Sequence, residues 1–123
     1  MRLLLDTHVL IWWDSGARLS RDATAAIREA DEVFVSVASA WEVAIKSALG
    51  KVVTSRSVSI AAKSSGFTEL PVMFRHAEAV AALPLHHRDP FDRLLVVQAH
   101  AERLTLVTRD AVMEQYGVQV IRA

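Results

Sequence analysis

Short runs of consecutive apolar residues alternate along this chain with longer stretches whose apolar positions recur every three or four residues. The first pattern fits strands buried on both faces, the second helices with one buried side. Leu3-Leu4-Leu5 is such a run, ended by Asp6-Thr7, and Val9, Leu10, Trp12 and Trp13 then follow at helical spacing until Asp14-Ser15-Gly16 stops them. Ser20 caps a predicted helix over 21–30 that places Ala23, Ala26, Ile27 and Ala30 on one side, and Val33-Phe34-Val35 is a second buried strand. Ser39-Ala40-Trp41-Glu42 matches an S-x-x-E capping box and predicts a helix opening there, carrying Ala44, Ile45, Ala48 and Leu49 and stopping at Gly50.

The pattern weakens over 51–70, where a helix over 58–65 and a short strand over 68–70, before Pro71, are predicted. An alanine-rich helical stretch over 73–83 is closed by Pro84. Asp89-Pro90 reads as N-cap and first residue of a helix running through Leu94, Leu95, Val97 and Ala101 to Arg103. Residues 104–107 form another strand, Thr108-Arg109-Asp110 the crossing into a short helix, and 118–121 a last strand after Gly117. No internal repeat, low-complexity tract or linker interrupts this series.

Strands alternating with helices imply right-handed crossovers, hence a three-layer α/β/α sandwich around a central, mainly parallel five-stranded sheet. The expectation is one domain over 1–123. With strand order 3-2-1-4-5, the first strand and the 104–107 strand are central neighbours, and the switch-point crevice opens between Asp6 and Asp110.

Composition narrows the picture. Hydrophobic residues make up 52% and charged ones 23%, and a mean hydropathy of +0.25 leaves apolar surface to spare for a partner. The net charge is zero, so no overall positive field draws the molecule to nucleic acid or anionic membrane, and such binding must use local patches. With no cysteine, disulfides, thiolate metal sites and cysteine nucleophiles are excluded. No window approaches a membrane span and the N-terminus lacks a signal-peptide core, so the expectation is a cytoplasmic protein.

Asp6, Glu42, Asp92 and Asp110 each sit where a predicted strand ends or a predicted helix begins. In a parallel sheet those crossings share one edge, so the four can converge, and clustered carboxylates resist ionising unless a cation intervenes. Oxygen ligands of this kind select Mg²⁺ or Mn²⁺. Each acid also has a local reading. Glu42 fits the capping box with Lys46 one turn on, Asp89 caps its helix, Asp92 complements the same helix dipole, and Asp110 is a good N-cap that Thr108 can support. Asp6, at the end of the central strand, is least explained this way; jointly, one metal site accounts for all four.

His8, His76 and His100 fall in helical stretches and His86-His87 in a loop; no zinc pattern, G-x-S-x-G elbow or glycine-rich nucleotide cradle is present. Ser36, Ser39 and Thr7 have either a ligand-binding or a capping role. Trp12, Trp13 and Trp41 read as core, with a partner-facing role as the alternative.

Four segments, Leu5-Asp6-Thr7-His8-Val9-Leu10, Ser39-Ala40-Trp41-Glu42-Val43-Ala44, His87-Arg88-Asp89-Pro90-Phe91-Asp92-Arg93-Leu94-Leu95 and Leu104-Thr105-Leu106-Val107-Thr108-Arg109-Asp110, resemble in order and spacing the signature segments of PIN-domain ribonucleases, and most closely the VapC-type toxins of toxin-antitoxin pairs. The resemblance spans essentially the whole chain. It implies that Asp6, Glu42, Asp92 and Asp110 form an acidic quartet binding one or two Mg²⁺ or Mn²⁺ ions, with Asp92 rather than Asp89 at the family's helix-opening position and Asp89 an outer contributor. Thr108 and Thr7 are secondary candidates on the reading of the residues themselves, Thr108 as cap or metal neighbour and Thr7 as ligand-binding or capping hydroxyl. The resemblance further implies metal-assisted hydrolysis of RNA without a covalent intermediate. A VapB-like antitoxin whose tail covers the site, and assembly as a homodimer or toxin-antitoxin hetero-oligomer, are implied as well. Arg18, Lys46, Lys51, Arg88, Arg93 and Arg109 are candidate cations for the phosphate backbone; the residues do not single out which of them binds RNA.

Rival architectures fit less well. A receiver-like signalling module needs paired acids after its first strand and a late lysine, whereas Thr7 follows Asp6 and no lysine lies beyond Lys63. A haloacid-type phosphatase needs D-x-D where this chain has Asp6-Thr7-His8. A PIN scaffold that only binds RNA or antitoxin, without catalysis, is the closer alternative.

Overall fold

A computed structural model describes residues 1–123. Its strands are β1 (Arg2–Leu5), β2 (Glu32–Ser36), β3 (Thr68–Leu70), β4 (Thr105–Thr108) and β5 (Val120–Arg122); its α-helices are α1 (Thr7–Ser15), α2 (Arg21–Glu29), α3 (Val37–Ala48), α4 (Val58–Ser64), α5 (Phe74–Ala79) and α6 (Pro90–Glu102). Short 3₁₀ turns cover Val80–Ala82 and Ala111–Tyr116. All pairings are parallel, in the order β3-β2-β1-β4-β5. The α/β class and strand order are those predicted.

Side chains alternate across a strand, and here the alternation builds two cores. Leu3 and Leu5 of β1, with Val33 and Val35 of β2, join Val9, Leu10, Ile27, Val43 and Ala61 beneath α1 to α4. Leu4 and Phe34 point the other way, to Leu95, Val96 and Ala99 of α6 and to Met113 and Tyr116. Strands covered on both sides need no polar face, which explains the unbroken apolar run of β1. Two polar links brace the packing, the first between sheet and α6 and the second between α5 and α6. Ser36 Oγ donates to Gln98 Oε1 at 2.5 Å and Gln98 Nε2 to the Pro71 carbonyl at 3.3 Å. The fully buried His76 bonds through Nε2 to Glu102 at 3.0 Å. No buried side-chain nitrogen or oxygen lacks a partner, and no helix is long and apolar enough to cross a membrane.

The predicted start of α3 is wrong by one turn. The N-cap is Ser36, whose Oγ accepts from the Ala38 amide at 3.0 Å, and the helix begins at Val37. Ser36 closes β2 and reaches the free amides first, so Ser39 falls inside the helix and Glu42 in its second turn, beyond any capping role. Trp41 is likewise not core. The buried side of α3 carries Ala38, Ser39, Glu42 and Val43, which turns Trp41 outward to 60% exposure. Trp12 and Trp13 are half-buried against the first core.

Candidate active site

The residues that follow β1 and β4, together with α1, α3 and the start of α6, line a cleft of about 370 Å³. Asp6, Glu42, Asp89, Asp92 and Asp110 line it, together with His8, Trp12, Lys46 and Arg109. All four acids singled out in the sequence stand there, and so does Asp89. They arrive by different routes.

Asp6 continues β1, its amide donating to the Val107 carbonyl of β4 at 3.0 Å. It precedes α1 as N-cap residue, yet its side chain caps nothing. Instead Oδ2 accepts from Thr108 Oγ1 at 2.7 Å. Thr108 Oγ1 in turn accepts from the Asp110 amide at 3.1 Å, so one hydroxyl orients two of the acids. Burial drives the Asp6 pKa upward; the Thr108 bond and the neighbouring His8 oppose the rise, and Glu42 adds to it.

Glu42 is only 2% exposed. A buried carboxylate needs donors, and they come from the start of α1 and from its own helix. Thr7 Oγ1 donates to Oε1 at 2.7 Å and lies 2.8 Å from Ser39 Oγ, while Lys46, one turn on, ion-pairs with Oε2. Thr7 is thus a buttress rather than an exposed ligand-binding hydroxyl.

At the head of α6 the capping reading of Asp89 holds: Oδ1 accepts from the Phe91 amide at 2.8 Å and the Asp92 amide at 3.3 Å. Asp92, in the same first turn, is left to face the cleft. Its pKa is pushed up to about 7, by burial first and then by the charges of Asp6, Asp89 and Glu42, with His87 pulling the other way. Near neutral pH the cleft therefore resists the full ionisation of its own acids, as a carboxylate cluster short of positive charge must.

His87 is the residue that sequence reasoning missed, having been set aside as an ordinary loop histidine. Its Nε2 lies 2.7 Å from Asp110 Oδ2 and 3.1 Å from Asp92 Oδ2, and its Nδ1 accepts from the Asp89 amide at 3.0 Å. Ligand atoms of His87, Asp92 and Asp110 lie within 4.8 Å of one another; Asp6 and Glu42 stand outside that trio, in the same cleft. The only local signal was proximity to Asp89 and Asp92, because Asp110 comes from 23 residues away. Asp110 itself caps the 3₁₀ turn through Oδ1, which accepts from the Val112 amide at 3.0 Å, leaving Oδ2 for His87.

The donor set fits a hard divalent cation. It is rich in carboxylate oxygen, lacks thiolate, converges from four parts of the fold, and carries an acid whose raised pKa a cation would relieve.

The family described as PIN domain matches residues 3–119. Ribonuclease VapC22 of Mycobacterium tuberculosis is 33% identical over 116 residues, covering 88% of this chain and 86% of that protein. Among solved structures, VapBC2 from Rickettsia felis, bound to a DNA fragment from its promoter, superposes with a TM-score of 0.69 at 13% identity, covering 99% of this chain and 98% of that one. A toxin-antitoxin complex from Klebsiella pneumoniae gives 0.66 at 23% identity, covering 97% and 95%. At those identities the structural likeness is one of fold.

Proposed function

This chain belongs to the PIN-domain family, and we propose that it is a Mg²⁺- or Mn²⁺-dependent ribonuclease that hydrolyses RNA phosphodiester bonds as the toxin of a toxin-antitoxin pair. The observation that carries the reading is the convergence of Asp6, Glu42, Asp92 and Asp110 on one cleft at the carboxyl end of the sheet, with the Asp92 pKa raised to about 7 by burial first and by the acids around it second. Asp6 and Asp92 would hold the ion, with Glu42 and Asp110 completing or orienting its shell. When bound, such an ion polarises a phosphate and acidifies water, which is the chemistry that phosphodiester hydrolysis needs.

The protein's own groups supply the rest. Thr108 and Thr7 fix the directions of Asp6 and Glu42, and Asp89 sets the first turn of α6, so the carboxylates are pre-organised before any ligand enters. Lys46 and Arg109 are the cations of the cleft and offset its repulsion of an RNA phosphate. The kinship with a named VapC ribonuclease supports RNA as the substrate.

A VapB-like antitoxin is the partner in this reading, with assembly as a homodimer or hetero-oligomer in the cytoplasm. The fold neighbours solved as toxin-antitoxin complexes support it. So does the exposed apolar stripe Val37, Trp41, Ile45 and Leu49, spaced every four residues along α3 and its end.

The test is incubation of purified protein with labelled structured RNAs, with Mg²⁺ or Mn²⁺ or with chelator, beside Asp6→Asn and Asp92→Asn. Expected is metal-dependent cleavage lost in both variants while circular dichroism stays native. Cleavage in chelator, or undiminished in Asp6→Asn, overturns the reading; RNA binding without cleavage by the native protein favours a catalytically silent scaffold.

A further inference from the structure

One cation of the cleft behaves unlike the rest. Arg109 is the residue before Asp110 and shares the cleft with all five acids, yet it ion-pairs with none of them. Its guanidinium instead lies over the Trp12 indole, 3.9 Å from the ring centroid, and Nη2 donates to the Arg18 carbonyl at 2.6 Å. An arginine beside carboxylates would ordinarily take a bidentate pair with one of them. Here stacking and a carbonyl bond hold the plane away from them and leave its charge uncommitted.

Trp12 explains how the plane is held. It is the one hydrophobic residue lining the cleft, half-buried against the core beneath α1. One turn earlier on the same helix side stands the exposed His8, ring centroids 5.8 Å apart. His8, Trp12 and Arg109 thus form a layered aromatic and guanidinium surface in the cleft, half-buried at Trp12 and exposed at His8 and Arg109. If Arg109 served only to shield Trp12 from water, a lysine or methionine stem would do as well. A planar cation fixed at one nitrogen, with its own flat side exposed, offers more: a stacking surface for a nucleobase and unspent N–H groups for a phosphate.

We infer that the Trp12–Arg109 stack is a nucleobase subsite, on which the base neighbouring the scissile phosphate lies against the Arg109 plane. This rests on the ribonuclease reading above for the identity of the ligand as RNA. The subsite makes Trp12 and Arg109 positioning and specificity residues, since neither is offered as a metal ligand or a proton carrier. It also explains how a protein of zero net charge, with five acids around its cleft, can grip RNA there: a stacked base brings affinity that charge alone would not.

The test uses short single-stranded RNAs carrying 2-aminopurine at successive positions, bound with Mg²⁺ to full-length Asp6→Asn protein so that the RNA stays intact. Stacking quenches this fluorophore. Expected is quenching at one position, lost in Trp12→Ala and Arg109→Ala made in the same background, largely retained in Trp12→Phe and lost in Arg109→Lys, which keeps the charge but not the plane. Binding should weaken roughly 10-fold in the two alanine variants, as for the loss of one stacked base. An abasic site at the quenched position should cost the native enzyme a similar factor in kcat/KM and cost Trp12→Ala nothing further. Uniform absence of quenching, quenching that survives in both alanine variants, or an equal abasic penalty in native and Trp12→Ala protein overturns the subsite. Should the native enzyme fail to cleave any RNA, the ribonuclease reading falls, while the fluorescence result still decides whether the stack takes a base. Native fluorescence behaviour in Arg109→Ala together with weakened capture of a protein partner assigns this surface to that partner and also overturns the inference.

Discussion

The Nε2 of His87 lies 2.7 Å from Oδ2 of Asp110, with Asp92 at 3.1 Å on its other side, while Nδ1 accepts the Asp89 amide proton. The tautomer assigned from this network carries its proton on Nε2, pointing at the acids. To bind a metal through Nε2 the ring would have to give up that proton and break its Nδ1 bond. His87 is therefore expected to steady the carboxylates, not to ligate. In titrations followed by calorimetry, His87→Ala should bind Mn²⁺ within roughly threefold of the native protein, whereas Asp110→Asn, which removes a carboxylate, should bind it 10- to 100-fold more weakly. Loss of Mn²⁺ binding in His87→Ala would make the ring a ligand.

A raised pKa carries a sign for stability. Asp92 has its pKa lifted from 3.8 to about 7 in the folded protein, so between those values the native state holds more protons than the unfolded one. Stability then falls as pH rises through the window, and the full deficit persists above it. Asp92→Asn should therefore raise the melting temperature of the metal-free protein at pH 8 by several degrees, an effect on the order of 1–3 kcal/mol. Near pH 4 the two proteins should coincide. Saturating Mg²⁺ should reverse the order at pH 8 by stabilising the native protein selectively. Scanning calorimetry in chelator and in Mg²⁺ checks both halves; an unchanged or lower melting temperature for the variant in chelator at pH 8 counts against the acid cluster as described.

Thr7 is buried and gives Glu42 a 2.7 Å hydrogen bond. Thr7→Val keeps the shape and removes the donor, leaving a buried carboxylate under-satisfied, at a cost of about 1–3 kcal/mol. Thr7→Ser should restore most of it. Urea denaturation gives the stability difference, and kcat/KM should fall roughly 10-fold in Thr7→Val if Glu42 is part of the catalytic shell. Equal stability of Thr7→Val and the native protein would show that Glu42 draws its support from Lys46 alone.

Arg103, the C-cap of α6, is the one non-glycine residue with positive φ, at 55°, and it is exposed. Left-handed backbone costs an L-residue about 1 kcal/mol that glycine is spared. Arg103→Gly should raise the urea midpoint by a corresponding amount without touching activity, since the position lies at the far end of the helix that begins with the site. A lowered midpoint would mean that the arginine side chain contributes more than its backbone costs.

How much of this was legible beforehand divides along a physical line. The apolar run at Leu3-Leu4-Leu5, the Ser20 and Asp89 caps and the glycine after the last helical turn are local signals, and β1, α2, α6 and β5 fell within a residue or two of where these place them, whereas the 73–83 stretch is α-helix only over Phe74–Ala79 before a 3₁₀ turn. One local signal misled: S-x-x-E at Ser39 reads as the cap, but β2 ends at Ser36, which caps the helix instead. Trp41 was read as core from its chemistry, although helical phase turns it to solvent once the true start of α3 is known.

By itself the sequence determined the order of strands and helices, and with it a parallel sheet whose carboxyl edge gathers the acids, because hydrophobic period and capping are written within a few neighbouring residues. Tertiary structure alone decided the company each acid keeps: Thr108 beside Asp6 across 102 positions, Thr7 beneath Glu42 across 35, His87 between Asp92 and Asp110, and Arg109 drawn from the acids onto Trp12. Such partners meet only when the sheet and helices have packed, and burial in that packing sets both the charge an acid can carry and the donors it must find.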